Sequence, residues 1–257
     1  MRRLLVSVVG SAALLVAVSP AAKADAFMSL NNQAVTLSCN NSTAAGVTAC
    51  VANGFTTVLG GNSISFAGSV GGYSVGDITL VGNSPGNGAL AFATDTKTNI
   101  QNVSAGATAL LVNFAINNFA LPAGSPLTLS ASQAATFVNA AAASSQAFTG
   151  WGNAANTLAT ATGTAVVTPT CVNPATAPPV NACSAVGAPV RFARAGSFAL
   201  NGQETINLGQ GGIGNFQGSI AVTPPLPSSV PEPGSLVLLA TGLFGLVGGR
   251  RMFRRTA

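Results

Sequence analysis

Between residues 27 and 223, three carboxylates, four cysteines and two large amphipathic aromatics are the side chains that could do chemistry. The carboxylates are Asp77, Asp95 and Glu204. Two of them facing each other across a cleft would make a glycosidase pair, and a cluster would suit calcium. Their surroundings argue against both. Asp77 follows Gly76 at a turn signal and Asp95 lies between Thr94 and Thr96, so each reads as a solvated or turn-capping group. A hydrolase would require these carboxylates to converge in one cleft. The chain has no histidine, which excludes serine–histidine and cysteine–histidine nucleophiles, imidazole bases and histidine-ligated metals. No catalytic residue, metal ligand or cofactor is assigned, and the expectation is that the protein is not an enzyme. Gly209-Gln210-Gly211-Gly212-Ile213-Gly214 looks superficially like a phosphate loop, but it lies between strand-like runs with no helix after it, so turn geometry accounts for it. Trp151 and Tyr73 each have a face able to stack on a sugar ring, with burial as the competing role.

The cysteines fall into two local pairs, Cys39 with Cys50 and Cys171 with Cys183. A zinc site would need all four thiolates from distant loops. Local disulfides are the expectation, each closing a short loop rich in turn residues and contributing about 3 kcal/mol in the chain-entropy picture.

The elements that must position these residues have the texture of an all-β protein. Short alternating or apolar runs recur at 34–37, 55–59, 63–70, 74–81, 89–94, 109–120, 127–130, 190–192, 197–200, 204–208 and 216–222. Gly60-Gly61-Asn62, Gly71-Gly72, the stretch 83–88 and Gly209–Gly212 punctuate them. This spacing predicts a single antiparallel β-sandwich, jelly-roll-like, rather than a helical or Rossmann-type core. One stretch departs from the pattern: around 132–148 alanines at helical spacing suggest a short helix, with an alanine-rich strand connection as the alternative. From 168 to 189 prolines around the second cysteine pair predict an irregular loop stapled by its disulfide.

Both ends read as addresses. Arg2 and Arg3 precede an apolar stretch from Leu4 to Val18, and Ala24-Asp25-Ala26 offers a signal-peptidase site before Phe27. A cut after Ala24, using Ala22-Lys23-Ala24, is the second choice. The expected leader is therefore residues 1–26, exported by the general secretion machinery, which also places the cysteines in an oxidising compartment. At the other end, residues 224–229 form a Pro/Ser stalk before Val230-Pro231-Glu232-Pro233, an apolar run over 235–249, and Arg250, Arg251, Arg254 and Arg255. As a helix the apolar run spans roughly 22 Å, short for a permanent anchor across a hydrocarbon core of about 30 Å. The two prolines keep the box extended, and the arginines orient the segment with its end in the cytoplasm.

These residues resemble the PEP-CTERM sorting signal, over residues 230–257. The resemblance implies an exosortase-type partner that cuts at the Pro-Glu-Pro box, inner-membrane residence through the helix before cleavage, and then display at the cell surface or release. It also implies association with biofilm and exopolysaccharide, the latter as a further partner. It is silent about the domain between, residues 27–223.

Removing the two addresses changes the charge. The chain carries ten basic and five acidic residues, net +5. Seven of the ten, Arg2, Arg3, Lys23 and the four terminal arginines, belong to the ends. Lys97, Arg191 and Arg194 then balance Asp77, Asp95 and Glu204, so the interior domain is neutral and gives no reason to expect nucleic acid. The expected role is a non-catalytic cell-surface or extracellular-matrix protein, with a carbohydrate-binding module as the alternative. Asn41-Ser42-Thr43 and Asn102-Val103-Ser104 match the N-linked acceptor pattern.

Overall fold

The computed structural model describes residues 23–105, 109–175, 179–225 and 241. The leader up to residue 22, the Pro-Glu-Pro box, the predicted helix over 235–249 and the four terminal arginines lie outside the described residues. In chain order the elements are β1 (Ala26–Asn31), β2 (Thr36–Asn40), α1 (Ala44–Ala52), β3 (Phe55–Thr57), β4 (Ser63–Val70), β5 (Tyr73–Gly82), β6 (Ala91–Asn102), β7 (Leu110–Phe119), β8 (Leu127–Val138), β9 (Ser145–Asn153), β10 (Thr164–Val167), β11 (Cys171–Val172), β12 (Val180–Val186), β13 (Val190–Phe192), β14 (Phe198–Asn207) and β15 (Ile213–Thr223). They form two sheets, a sandwich as the sequence predicts. The first runs β10-β9-β14-β7-β1-β2 with β11 also on β9, and the second β12-β8-β15-β6-β5-β4-β3 with β13 also on β8. Every pairing is antiparallel.

The winding follows from three consecutive pairs that each cross from one sheet to the other. β6 leads to β7, β8 to β9 and β14 to β15; β15 lies between β6 and β8 in one sheet while β14 lies between β7 and β9 in the other. The last two strands therefore occupy the middle of both sheets, and any inward side chain on them meets the centre of the core. Inward positions alternate along the strands. On β14 these are Leu200, Glu204 and Ile206, and the core between the sheets holds Phe114, Phe119, Phe137, Phe148, Phe192, Phe198 and Ile220, all essentially sealed from solvent.

Two expectations are corrected. The alanine-rich segment over 132–148 is not a helix; it is the second half of β8, a tight connection and the start of β9. Leu127, Leu129, Ala131, Ala135 and Phe137 are buried while Ser130, Ala134, Thr136 and Val138 are partly exposed, a period of two. Pairing with β15 on one side and β12 on the other outweighs the helix preference of alanine, because intrinsic propensity is small beside packing and burial. The region 168–189 is likewise not wholly irregular. It contributes β11, paired with β9 in the first sheet, and β12, paired with β8 in the second. The Cys171–Cys183 disulfide, with Cα atoms 5.7 Å apart, joins these two strands and so ties one sheet to the other at their margins. The predicted Cys39–Cys50 pairing is also present, with a Cα separation of 4.6 Å. It fastens β2 to α1, a helix where the sequence predicts a turn-rich loop; Thr43 caps it by accepting from the Gly46 N–H at 3.0 Å.

Candidate functional site

Asp95 and Glu204 do converge, but not in a cleft. Asp95 and Lys97 lie on β6 two residues apart, so both point to the same face, and that face is the inside of the sandwich. Glu204 reaches in from β14 in the opposite sheet. All three side chains have zero exposure. Lys97 Nζ donates to Asp95 Oδ2 and, at 2.5 Å, to Glu204 Oε2. Gln146, on β9, donates from Nε2 to Glu204 Oε1 at 2.9 Å and to the Gln217 carbonyl on β15 at 3.0 Å. The Gly218 N–H donates to Asp95 Oδ1 at 3.0 Å. The cluster thus bridges the two sheets twice, through Lys97 to Glu204 and through Gln146 to β15.

Gly218 makes room for it. A Cβ at that position would meet Phe148 at 2.6 Å and Asp95 Oδ1 at 2.8 Å. Phe148 in turn stacks on Phe114 with ring centroids 6.1 Å apart. In register, Lys97 is flanked by Ile78 and Phe216, and Glu204 by Val112 and Phe148. The polar groups are therefore embedded in apolar neighbours.

The electrostatics follow from that embedding. Burial pushes Asp95 up, and the attraction of Lys97 and the Gly218 N–H do not reverse it. Burial likewise pushes Glu204 up; Lys97 pulls it back, Asp95 repels it, and it settles at about 7. For Lys97 burial works against the charge, yet the two carboxylates overcome it and hold the ammonium above its ordinary value. Fully ionised, the cluster would carry one uncompensated negative charge in a low-dielectric interior, a costly state. Asp95 and Glu204 are both raised, so the two carboxyls remove that excess by holding one proton between them.

Asp95 is therefore buried rather than solvated, and Lys97 and Gln146, to which the sequence assigns no chemistry, are buried with it. A signal was present. Ala91, Ala93, Asp95 and Lys97 share one parity, and so do Glu204, Ile206 and Leu208, so the alternation that buries the apolar members buries the charged ones too. Asp77 stays apart, accepting from the Thr79 hydroxyl at 2.9 Å, so the three carboxylates do not form one site. Among the described residues no group of acids, cysteines or histidines could hold a metal.

The other singled-out residues separate into structural and exposed roles. Tyr73 is fully buried, its hydroxyl between the Ile206 carbonyl and the Leu208 N–H, and cannot stack on a ligand. Trp151 is half-buried on β9, opposite Asn201 and Ala165 on the adjoining strands. Both sequon asparagines are sealed. Asn41 donates to Thr57 Oγ1 and to the Val58 and Gly61 carbonyls while its Oδ1 accepts from the Ala26 N–H at 2.7 Å. Asn102 donates to the Leu208 carbonyl. Neither amide is open to glycan transfer in the folded domain. Gly209–Gly214 is the turn from β14 into β15 together with that strand's first residues, with Gly211 at φ +75°.

At the amino end, the alanines of the proposed processing site already belong to the fold. Ala26 opens β1, opposite Ile116, and its carbonyl accepts from the Asn41 N–H. The Asp25 N–H donates to Asn117 Oδ1 at 2.8 Å, and the Asn117 N–H returns to the Asp25 carbonyl. Ala24 is buried.

The carboxyl end carries the identifying signal. The PEP-CTERM protein-sorting motif matches residues 229–255, covering the box, the apolar run and the arginines. The motif implies processing by an exosortase-type enzyme, with export and membrane-associated sorting. Fold and tail together define an exosortase-sorted, exported β-sandwich protein. Among the described residues no helix is long and apolar enough to cross a membrane; the predicted tail helix is not among them. No curated protein matches the chain. One solved structure, described as "Structure of infectious bursal disease virus Gx strain", is similar at 15% identity over 84% of this chain and 54% of that one, with a TM-score of 0.29. The chain spans about half the length of that protein, and a likeness this slight carries no argument.

Proposed function

We propose that the mature protein is a non-catalytic structural component of the cell surface or extracellular matrix, released from the inner membrane when the Pro-Glu-Pro box is cut. The sorting motif at 229–255 is the observation that carries this reading. The domain before it supports it in kind. Asp95, Lys97 and Glu204 are consumed by the core rather than displayed in a cleft, and two disulfides brace the domain for an oxidising environment. The test is fractionation of the native host. Domain recovered outside the cytoplasmic membrane, lacking the arginines, supports the reading; domain found only in that membrane with the tail intact opposes it.

At the other end we propose that signal peptidase cuts after Ala24, not after Ala26. A cut after Ala26 would remove the first residue of β1 and leave Asn41 Oδ1 without its donor inside the fold. A cut after Ala24 leaves Asp25 as the new terminus, with its nitrogen still able to donate to Asn117. Amino-terminal sequencing should read Asp25-Ala26-Phe27; a sequence starting at Phe27 would oppose the proposal.

Carbohydrate binding is the second reading. A groove of about 280 Å³ is lined by Ser132, Ser184, Gln217 and Ser219, hydroxyl and amide groups suited to sugar hydroxyls. It lies on the second sheet, whereas Trp151 belongs to the first, so the stacking and hydrogen-bonding features do not form one site. Retention on immobilised exopolysaccharide that is lost in Gln217→Ala would favour the groove. Equal retention of the variant, or none by the parent, would count against it.

A further inference from the structure

The cluster at the centre of the sandwich has the components of a condensation reaction. We propose that Lys97 and Glu204 join in an intramolecular amide bond that covalently links the two sheets. The inference rests on four arrangements. The amine and the carboxyl come from opposite sheets and lie 2.5 Å apart, Nζ to Oε2. A second carboxylate, Asp95, touches the same Nζ and can take its proton. The other oxygen of Glu204 is held by the Gln146 amide at 2.9 Å. The whole group has no exposure to solvent.

In water an ammonium and a carboxylate are each strongly solvated and do not condense. Inside an apolar core that solvation is lost, so transfer of a proton from the ammonium to the touching Asp95 carboxylate costs less than in water, and expulsion of water favours the amide. The reaction starts from the lysine ammonium, the Asp95 carboxylate and the protonated Glu204 acid. Asp95 accepts a proton from Nζ, freeing its lone pair. Nζ attacks Cδ of Glu204, forming the C–N bond, while negative charge grows on Oε1, where the Gln146 N–H is already aimed. Asp95 returns its proton to Oε2 and takes a second from Nζ. The Cδ–Oε2 bond breaks and Oε2 leaves as water, with Oε1 as the amide carbonyl oxygen and Asp95 as the neutral acid. Four protons enter the cluster and four are accounted for: one on the amide, two in the water, one on Asp95. No oxidant or other co-reactant is needed. Burial holds Glu204 at about 7, so its protonated form is present at neutral pH.

The test is mass spectrometry of the full chain after export, with disulfides intact and then reduced. The expected mass lies one water below that of the disulfide-bonded polypeptide, and proteolysis yields a reduction-resistant branched peptide containing Lys97 and Glu204. Lys97→Arg and Asp95→Asn should each restore the missing water, the first by removing the nucleophile and the second by removing the proton acceptor. Parent protein of full mass, with Lys97 labelled by an amine reagent after denaturation, would overturn the proposal. So would a water loss that maps to Lys97 and Asp95, which would leave the sheets unlinked. Persistence of the bond in Asp95→Asn would overturn the role of Asp95.

Discussion

Lys97 is the residue on which the interior depends. Replacing it with methionine would leave two buried carboxyls with no cation and no amide to Glu204, and loss of the buried ion pair alone, from one side, costs about 3–5 kcal/mol. The pH dependence of that variant has a definite sign. Without Lys97, burial and mutual repulsion hold Glu204 above the value of about 7 it has beside the lysine, and Asp95 is also raised. The folded state then binds protons that the unfolded chain releases in the ordinary carboxylate range. Stability is full below that range and is lost as pH rises through and beyond neutrality. Thermal melts of Lys97→Met should give a midpoint markedly lower at about pH 8 than at about pH 5; a midpoint that climbs with pH would contradict this placement of the carboxyls. Gly218 is the second sensitive position. Its Cβ-free backbone lets Asp95 and Phe148 approach, so Gly218→Ala should destabilise by about 1–3 kcal/mol through overpacking, read from urea denaturation. A neutral effect would mean the core is looser there than described.

The elements carry the disulfides and mark the limits of what the sequence reveals. Cys171–Cys183 joins β11 of one sheet to β12 of the other, so replacing both cysteines with serine should cost about 2–4 kcal/mol in chemical denaturation. The β11 and β12 region should become the first to cut under limited proteolysis; unchanged protease resistance would show that strand pairing alone holds it. Strands β4 and β13 are legible in the sequence to the residue, since turn glycines or short alternating runs bound them. The second half of β8 is not. Its alanines carry no strong strand preference, and only the neighbouring strands decide their conformation. β12 hides in a proline-rich setting for the same reason, and β1 is obscured by its position beside the predicted leader. The buried cluster was half legible. Parity places Asp95, Lys97 and Glu204 inward, but nothing in one dimension tells that β6 and β14 face each other across the core.

For the whole molecule, the sorting motif at residues 229–255 governs the fate of the β domain before it. The Pro-Glu-Pro box combines two prolines with one acid inside the matched sorting motif. Changing Pro231 and Pro233 together to alanine should leave the domain's folding unaltered while the uncut chain accumulates in the membrane fraction, followed by immunoblot; normal release would deny the box its role. The most direct test is the intact mass of the protein recovered separately from the medium and the membranes of its native host. A released species that begins at Asp25, ends within the sorting motif and lacks Arg250 to Arg255 is expected. A species that keeps Arg255 and occurs only in the membrane would contradict it.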